Sequence, residues 1–187
     1  FNGQDMNSTA AYDRSGAGNT GTLTGGPTKV PGKIGQATSF DGTNDYVTMG
    51  DIASMEGGTQ LTVSVWMKQN GATNERHIID KSGCNGTSGS WEMMVISGEP
   101  VFGTIYSSGN YDFPTGTGYN VSDNQWHHLV GTYNGVTISL YVDGALAATA
   151  TDTRAMMSDS SSVEIGGNCN GAGSCSGSCS WNGQVDE

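Results

Sequence analysis

The chain has 187 residues, with 18 acidic against 7 basic side chains, a formal net charge of -11 and 34% hydrophobic residues. That length suits one well-buried domain, and 30 glycines lower the hydrophobic fraction through turns rather than disorder. No cluster of Lys or Arg could neutralise a phosphate backbone, which excludes nucleic acid as a partner, and no apolar run approaches the roughly 20 residues that span a bilayer.

Phe1 opens directly into polar sequence without a signal peptide, which predicts a mature or excised piece of a larger chain. Helical periodicity is almost absent, while short alternating apolar and polar runs recur between Gly, Asn, Asp and Ser, so the reading is all-β. Strands are predicted at Ser39–Phe40, Tyr46–Met49 and Leu61–Lys68. In the last of these Leu61, Val63, Val65 and Met67 share one face, and Thr62, Ser64, Trp66 and Lys68 the other. Further strands are predicted at His77–Asp80, Trp91–Ile96, Val101–Tyr106 and Val163–Ile165, enough for a two-sheet sandwich.

Gln125-Trp-His-His-Leu-Val-Gly-Thr-Tyr-Asn-Gly135 holds two of the three histidines. Asn134-Gly135 is a strong hairpin signal, and a two-residue turn there pairs Tyr133 with Val136 and His127 with Val142. Neighbouring residues on a strand point to opposite faces, so His127 goes inward and His128 outward, and the two cannot share one ion. The doublet therefore reads as structural, with Trp126 in the core. Asp143-Gly144 repeats the turn and adds a third strand in which Val142 faces Ala145.

The cysteines are Cys84, Cys169, Cys175 and Cys179. A zinc site competes as a reading, because Cys-x3-Cys with two further thiols could form a tetrahedral set. Cys84 stands alone in a loop, however, and disulfides in an oxidising compartment are the simpler expectation, with the connectivity left open.

Asp13-Arg-Ser-Gly16 with Asn19-Thr-Gly-Thr22, Gly35 to Val47, Leu61 to Lys68, Trp126 to Val130, Leu140-Tyr-Val-Asp-Gly144, Ile165-Gly166 and Gly183-Gln-Val-Asp-Glu187 together resemble a LamG-like domain. Such domains belong to the concanavalin A-like lectin/glucanase superfamily, with laminin G domains, pentraxins and bacterial carbohydrate-binding modules. The resemblance implies an antiparallel two-sheet jelly roll over residues 1–187. The family pattern continues with a strand past the Asp-Glu pair, so the domain is expected to lack, or be cut short before, its final strand. It also implies a structural Ca²⁺ held by Asp13 or Asn19 and Asp186, helped by the region of Asp41.

No paired-carboxylate spacing of a glycosidase is present, and Glu92 and Glu164 read as a solvated outer face, so no catalytic residue is assigned. A sugar site needs an aromatic face flanked by polar groups. Trp66, Trp91, Tyr106, Tyr111 with Asn110 and Asp112, and Trp181 supply the candidates. The loops around Asn70 to His77, Cys84 to Trp91 and Cys169 to Trp181 are expected on one rim, joined by a disulfide from Cys84. The expected function is a non-catalytic module of a secreted or cell-surface protein with neighbouring domains, binding a glycan or cell-surface polysaccharide. The alternatives are a protein-binding or architectural domain, and a glycoside hydrolase or lyase whose acids only folding brings together.

Overall fold

The computed structural model describes residues 5–71, 74–83, 88–167 and 179–187. In chain order the strands are β1 (Ala10–Ala11), β2 (Gly21–Thr24), β3 (Thr28–Pro31), β4 (Gln36–Asp41), β5 (Tyr46–Thr48), β6 (Leu61–Gln69), β7 (Arg76–Ser82) and β8 (Gly89–Ile96). They continue with β9 (Glu99–Ser107), β10 (Asn110–Asp112), β11 (His127–Tyr133), β12 (Thr137–Val142), β13 (Ala145–Thr151), β14 (Val163–Ile165) and β15 (Asn182–Asp186). One antiparallel sheet runs β1-β2-β5-β14-β7-β8-β9-β10, and the other runs β13-β12-β11-β6-β15-β4-β3. The expected sandwich is therefore the fold. β1, β2, β3, β10 and β15 escaped the sequence reading; the first four span only 2 to 4 residues, too few to display a period.

Strand alternation builds the core. Val63, Val65 and Met67 of β6, Leu129 and Tyr133 of β11, and Ile138, Leu140 and Val142 of β12 face Trp91, Met93 and Val95 of β8 and Phe102 of β9. Each such side chain contributes about 1.5–3 kcal/mol when removed from water. A Cβ at Gly131 would overlap the Phe102 ring, so the glycine in the middle of β11 is what lets the opposite sheet approach. Lys81 follows the inward parity of its partner Trp91 and is fully buried. Its Nζ lies 2.8 Å from Asp51 Oδ1, 2.8 Å from Glu56 Oε2 and 2.6 Å from the Ser161 carbonyl, tying two connecting segments to the sandwich.

The two predicted turns behave differently. Asp143 and Gly144 both take positive φ, 51° and 83°, and Val142 faces Ala145 as expected. At the first turn only Gly135 does so, at 86°. Asn134 instead accepts the amides of Val136 and Thr137 through its side-chain oxygen, at 3.0 and 2.8 Å. The loop thereby takes in Val136, and Tyr133 pairs with Ile138 rather than Val136. A slip of two residues leaves every side chain on its expected face, which is why the core reading survives a wrong register.

Candidate functional site

β9 and β10 form the hairpin at one edge of the eight-stranded sheet, with a bulge between Asn110 and Tyr111. Alternation sends Tyr111 and Phe113 to the outer face, where their rings stack at 4.6 Å between centroids and 19° between planes. Tyr111 is 49% exposed. A Cβ at Gly103 would overlap Phe113, so that glycine seats the pair against the sheet. Around the edge, Asp112 pairs with Arg154, whose guanidinium lies 3.3 Å from the centre of the Tyr106 ring. Arg154 Nε also donates to Asp152 Oδ1 at 2.7 Å, and Asp152 accepts the Thr104 hydroxyl at 3.1 Å. Burial alone would raise the Asp152 pKa, but the bonds from Arg154 bring it below the usual carboxylate value.

Four expected ligand residues, Tyr106, Asn110, Tyr111 and Asp112, thus lie on one hairpin, with Tyr111 on its outer face and Tyr106 and Asp112 joined by Arg154 on the other. The reading missed Phe113, although its spacing from Tyr111 placed both on one face. It also missed Arg154, which is 42 residues from Asp112 and carries no local signal.

Glu164, Asp80 and Glu92 are successive cross-strand partners on β14, β7 and β8, followed by Gly103 on β9. They are only 8%, 1% and 3% exposed, which overturns the expectation of a solvated face for Glu92 and Glu164. Each acid is isolated in its own strand, so spacing along the chain could not reveal the row. Burial pushes the Glu92 carboxyl up to about 7, with the neighbouring Asp80 adding and His77 opposing. His77 Nδ1 lies 3.0 Å from Asp80 Oδ2 and its Nε2 lies 3.0 Å from Glu75 Oε1. Burial alone would lower the His77 pKa, but its bonds with Asp80, Cys179 and Glu75 hold it well above 6.5.

Two expected ligand residues are corrected. Trp91 and Trp181 are fully buried on the core side and cannot meet a ligand from solvent; the Trp91 indole donates to the Met55 carbonyl at 2.9 Å. Trp66 is half-buried on the outer face of the seven-stranded sheet, stacked on His128 at 4.8 Å with Lys33 Nζ at 4.7 Å from its ring, so its faces are already engaged. The histidine doublet does diverge: His128 Nε2 bonds Ser64, and His127 bonds Asp143 and Asp123. His127 lies at the end of its strand, beyond the core, and Trp126 is half-buried rather than central.

The Asn70 and Cys179 ends of the expected rim meet, with Asn70 N donating to the Asn182 carbonyl at 2.9 Å and His77 N to that of Cys179 at 3.0 Å. Cys84, Cys169 and Cys175, and with them the expected disulfides, lie outside the described residues. Near this rim Lys68, Asn70, Asn124, Asn182 and Gln184 line a polar groove of about 120 Å³ that the reading did not foresee.

The expected calcium residues are divided. Asp13 accepts the Asn19 amide at 2.9 Å, and the two share with Glu187 a cavity of about 330 Å³ that is otherwise walled mainly by apolar side chains. Asp186 and Asp41 do not line it. Asp186 turns to the face opposite Val185 and accepts the Ile34 amide at 2.7 Å, and its Oδ1 is buried without a hydrogen-bond partner among the described residues. Asp41 accepts the Thr43 amide at 2.8 Å within its own turn.

Residues 40–187 match the family model described as the concanavalin A-like lectin/glucanases superfamily. The chain belongs to that superfamily. No relative is found among curated protein sequences. Among solved structures it is similar to Domain 4 of AbnA, an extracellular GH43 arabinanase of Geobacillus stearothermophilus, in complex with arabinotriose. That match has a TM-score of 0.72 at 18% identity and covers 93% of this chain and 82% of the other. The binding domain of Paraclostridial Mosquitocidal Protein 1 gives 0.74 at 13% identity, with 96% and 47% covered. A botulinum neurotoxin type C structure, titled for cell entry dependent on two ganglioside molecules, gives 0.66 at 16% identity, with 93% and 42% covered. The chain thus spans less than half of these toxin chains. No helix among the described residues is long and apolar enough to cross a membrane.

Proposed function

We propose that the chain is a non-catalytic carbohydrate-binding module of a secreted or surface-displayed protein, holding its glycan at the β9–β10 edge. The observation that carries this reading is the exposed Tyr111 ring, stacked on Phe113 on the outer face of the hairpin. A flat ring against the apolar face of a pyranose or furanose, with polar groups nearby for the hydroxyls, is what sugar recognition requires. The similar structures support it, since one is a domain complexed with arabinotriose and another concerns ganglioside-dependent entry. A glycan array run with and without calcium tests it. Selective binding that Tyr111→Ala removes is the expected result, and no glycan bound in either condition counts against the module and for a protein-binding domain.

A calcium role would rest on Asp13, Asn19 and Glu187, which share a cavity, but its walls are otherwise mainly apolar and both Asp13 oxygens already accept backbone amides, from Ser15 and Asn19. A melting temperature raised by added Ca²⁺ and lowered by EDTA supports that role.

The row Glu164–Asp80–Glu92 favours one second reading, a glycoside hydrolase, because the Glu92 carboxyl, pushed up to about 7, can donate a proton beside a second carboxyl. Their burial counts against it. Turnover of the best-bound glycan that Glu92→Gln abolishes would establish that reading in place of the first.

A further inference from the structure

Where β7 begins, three donors of different chemistry converge: the carboxylate of Glu75, the imidazole of His77 and the sulfur of Cys179, their ligand atoms all within 4.8 Å of one another. We propose that these three residues bind a zinc-type divalent transition metal ion. A mixed nitrogen, sulfur and oxygen set is what zinc accepts and what calcium, which takes oxygen ligands, does not.

The site is built rather than incidental. His77 is 1% exposed, and its Nδ1 is engaged at 3.0 Å by the equally buried Asp80, which leaves Nε2 turned toward Glu75. A carboxylate behind the imidazole is the arrangement that orients metal-binding histidines. Cys179 is fixed opposite it by backbone. Its carbonyl accepts the His77 amide at 3.0 Å, Arg76 Nη1 donates to the Ser180 carbonyl at 2.8 Å, and Trp181 N donates to that of Gly166 at 2.8 Å. A Cβ at Gly167 would come 2.8 Å from the Cys179 carbonyl and 3.0 Å from the His77 Cβ, so glycine permits the two segments to close on each other.

Charge points the same way. Asp80, Glu92 and Glu164 form a buried row beside His77 on one face of the sheet. Asp80, bonded to the imidazole, is the member of that row nearest to a cation on the other ring nitrogen. Glu75 is 46% exposed, which gives the ion a route in and leaves the fourth tetrahedral position to water or to a donor group of a bound molecule. Neither Glu75, His77 nor Cys179 belongs to the hairpin assigned to glycan, so the two proposals stand or fall separately.

The experiment uses the full chain, stripped with EDTA, loaded with ZnCl₂ or CoCl₂ and desalted. About one equivalent of zinc is expected to stay bound, and the cobalt form should show a thiolate-to-metal charge-transfer band. Cys179→Ser should abolish that band, and Glu75→Gln, at a partly exposed position, should weaken zinc binding about tenfold or more while leaving the chain folded by circular dichroism. Three results would overturn the proposal: no metal retained by the folded chain, equal retention by both variants, or a non-reducing peptide map that finds Cys179 in a disulfide. The last would leave His77 bonded to Glu75 and Asp80 without a metal.

Discussion

Asp143 holds both histidines of the doublet at once: its Oδ2 lies 2.8 Å from His127 Nδ1, and its Oδ1 accepts the His128 amide at 2.8 Å. It occupies the first position of the tight turn after β12, so the turn that ends one strand clamps the start of its neighbour. Asp123 completes the clasp on the other ring nitrogen of His127 at 3.1 Å.

That clasp predicts a pH dependence. Partial burial would lower the His127 pKa, but the bonds to Asp143 and Asp123 raise it above 6.5. The folded state then binds the proton more tightly than the unfolded one. The stabilisation is fully present below about pH 6.5 and is lost as pH rises through the folded value. His127→Gln should therefore cost stability at pH 5.5 and little at pH 9, measured by urea denaturation at both. A cost independent of pH would show that packing, not charge, is what the ring provides.

Glu92 carries a dependence of the same direction, the reverse of what an ion-paired carboxyl gives. With its pKa pushed up to about 7, the folded metal-free chain retains a proton that the unfolded chain releases near 4.5. Stability from this group falls as pH rises from about 4.5 to 7, by up to about 3 kcal/mol. Glu92→Gln is expected to flatten that part of the profile and to be more favourable at pH 8 than at pH 4.5. Parallel profiles for the variant and the parent protein would contradict the raised value.

Gly131 gives a packing prediction that needs no titration. A methyl there meets the Phe102 ring across the sandwich, and overpacking of this kind costs about 1–3 kcal/mol. Gly131→Ala should lower the urea midpoint, and Gly131→Ala with Phe102→Leu should recover part of the loss. An unchanged midpoint in the single variant would mean that the sheets are less closely packed at this point.

At the hairpin, Tyr111→Ala should weaken the best glycan about tenfold, the scale of one aromatic contact of about 1–2 kcal/mol, while Tyr111→Phe keeps most of the affinity. Titration calorimetry reads both. Because Tyr111 is half exposed on an edge strand, the melting temperature should hardly move. Equal binding by all three proteins would place the sugar elsewhere, with the amide-lined groove of Asn70, Asn124 and Asn182 the next surface to test.

The sequence by itself determined the fold class, most strands and the faces of their side chains. Alternation is a local property, written within each run such as Leu61 to Lys68, and a register slip of two at Asn134 leaves it untouched. Turn chemistry was legible at Asp143-Gly144, where backbone conformation alone decides, and misread at Asn134, where a side-chain oxygen competes for the amides. The tertiary structure alone decided that Trp91 and Trp181 lie in the core, that Glu164, Asp80 and Glu92 stand side by side, and that Arg154 reaches Asp112. Those relations join residues from distant strands, and which strands become neighbours is set by packing two sheets together, a global balance that no single stretch of chain encodes.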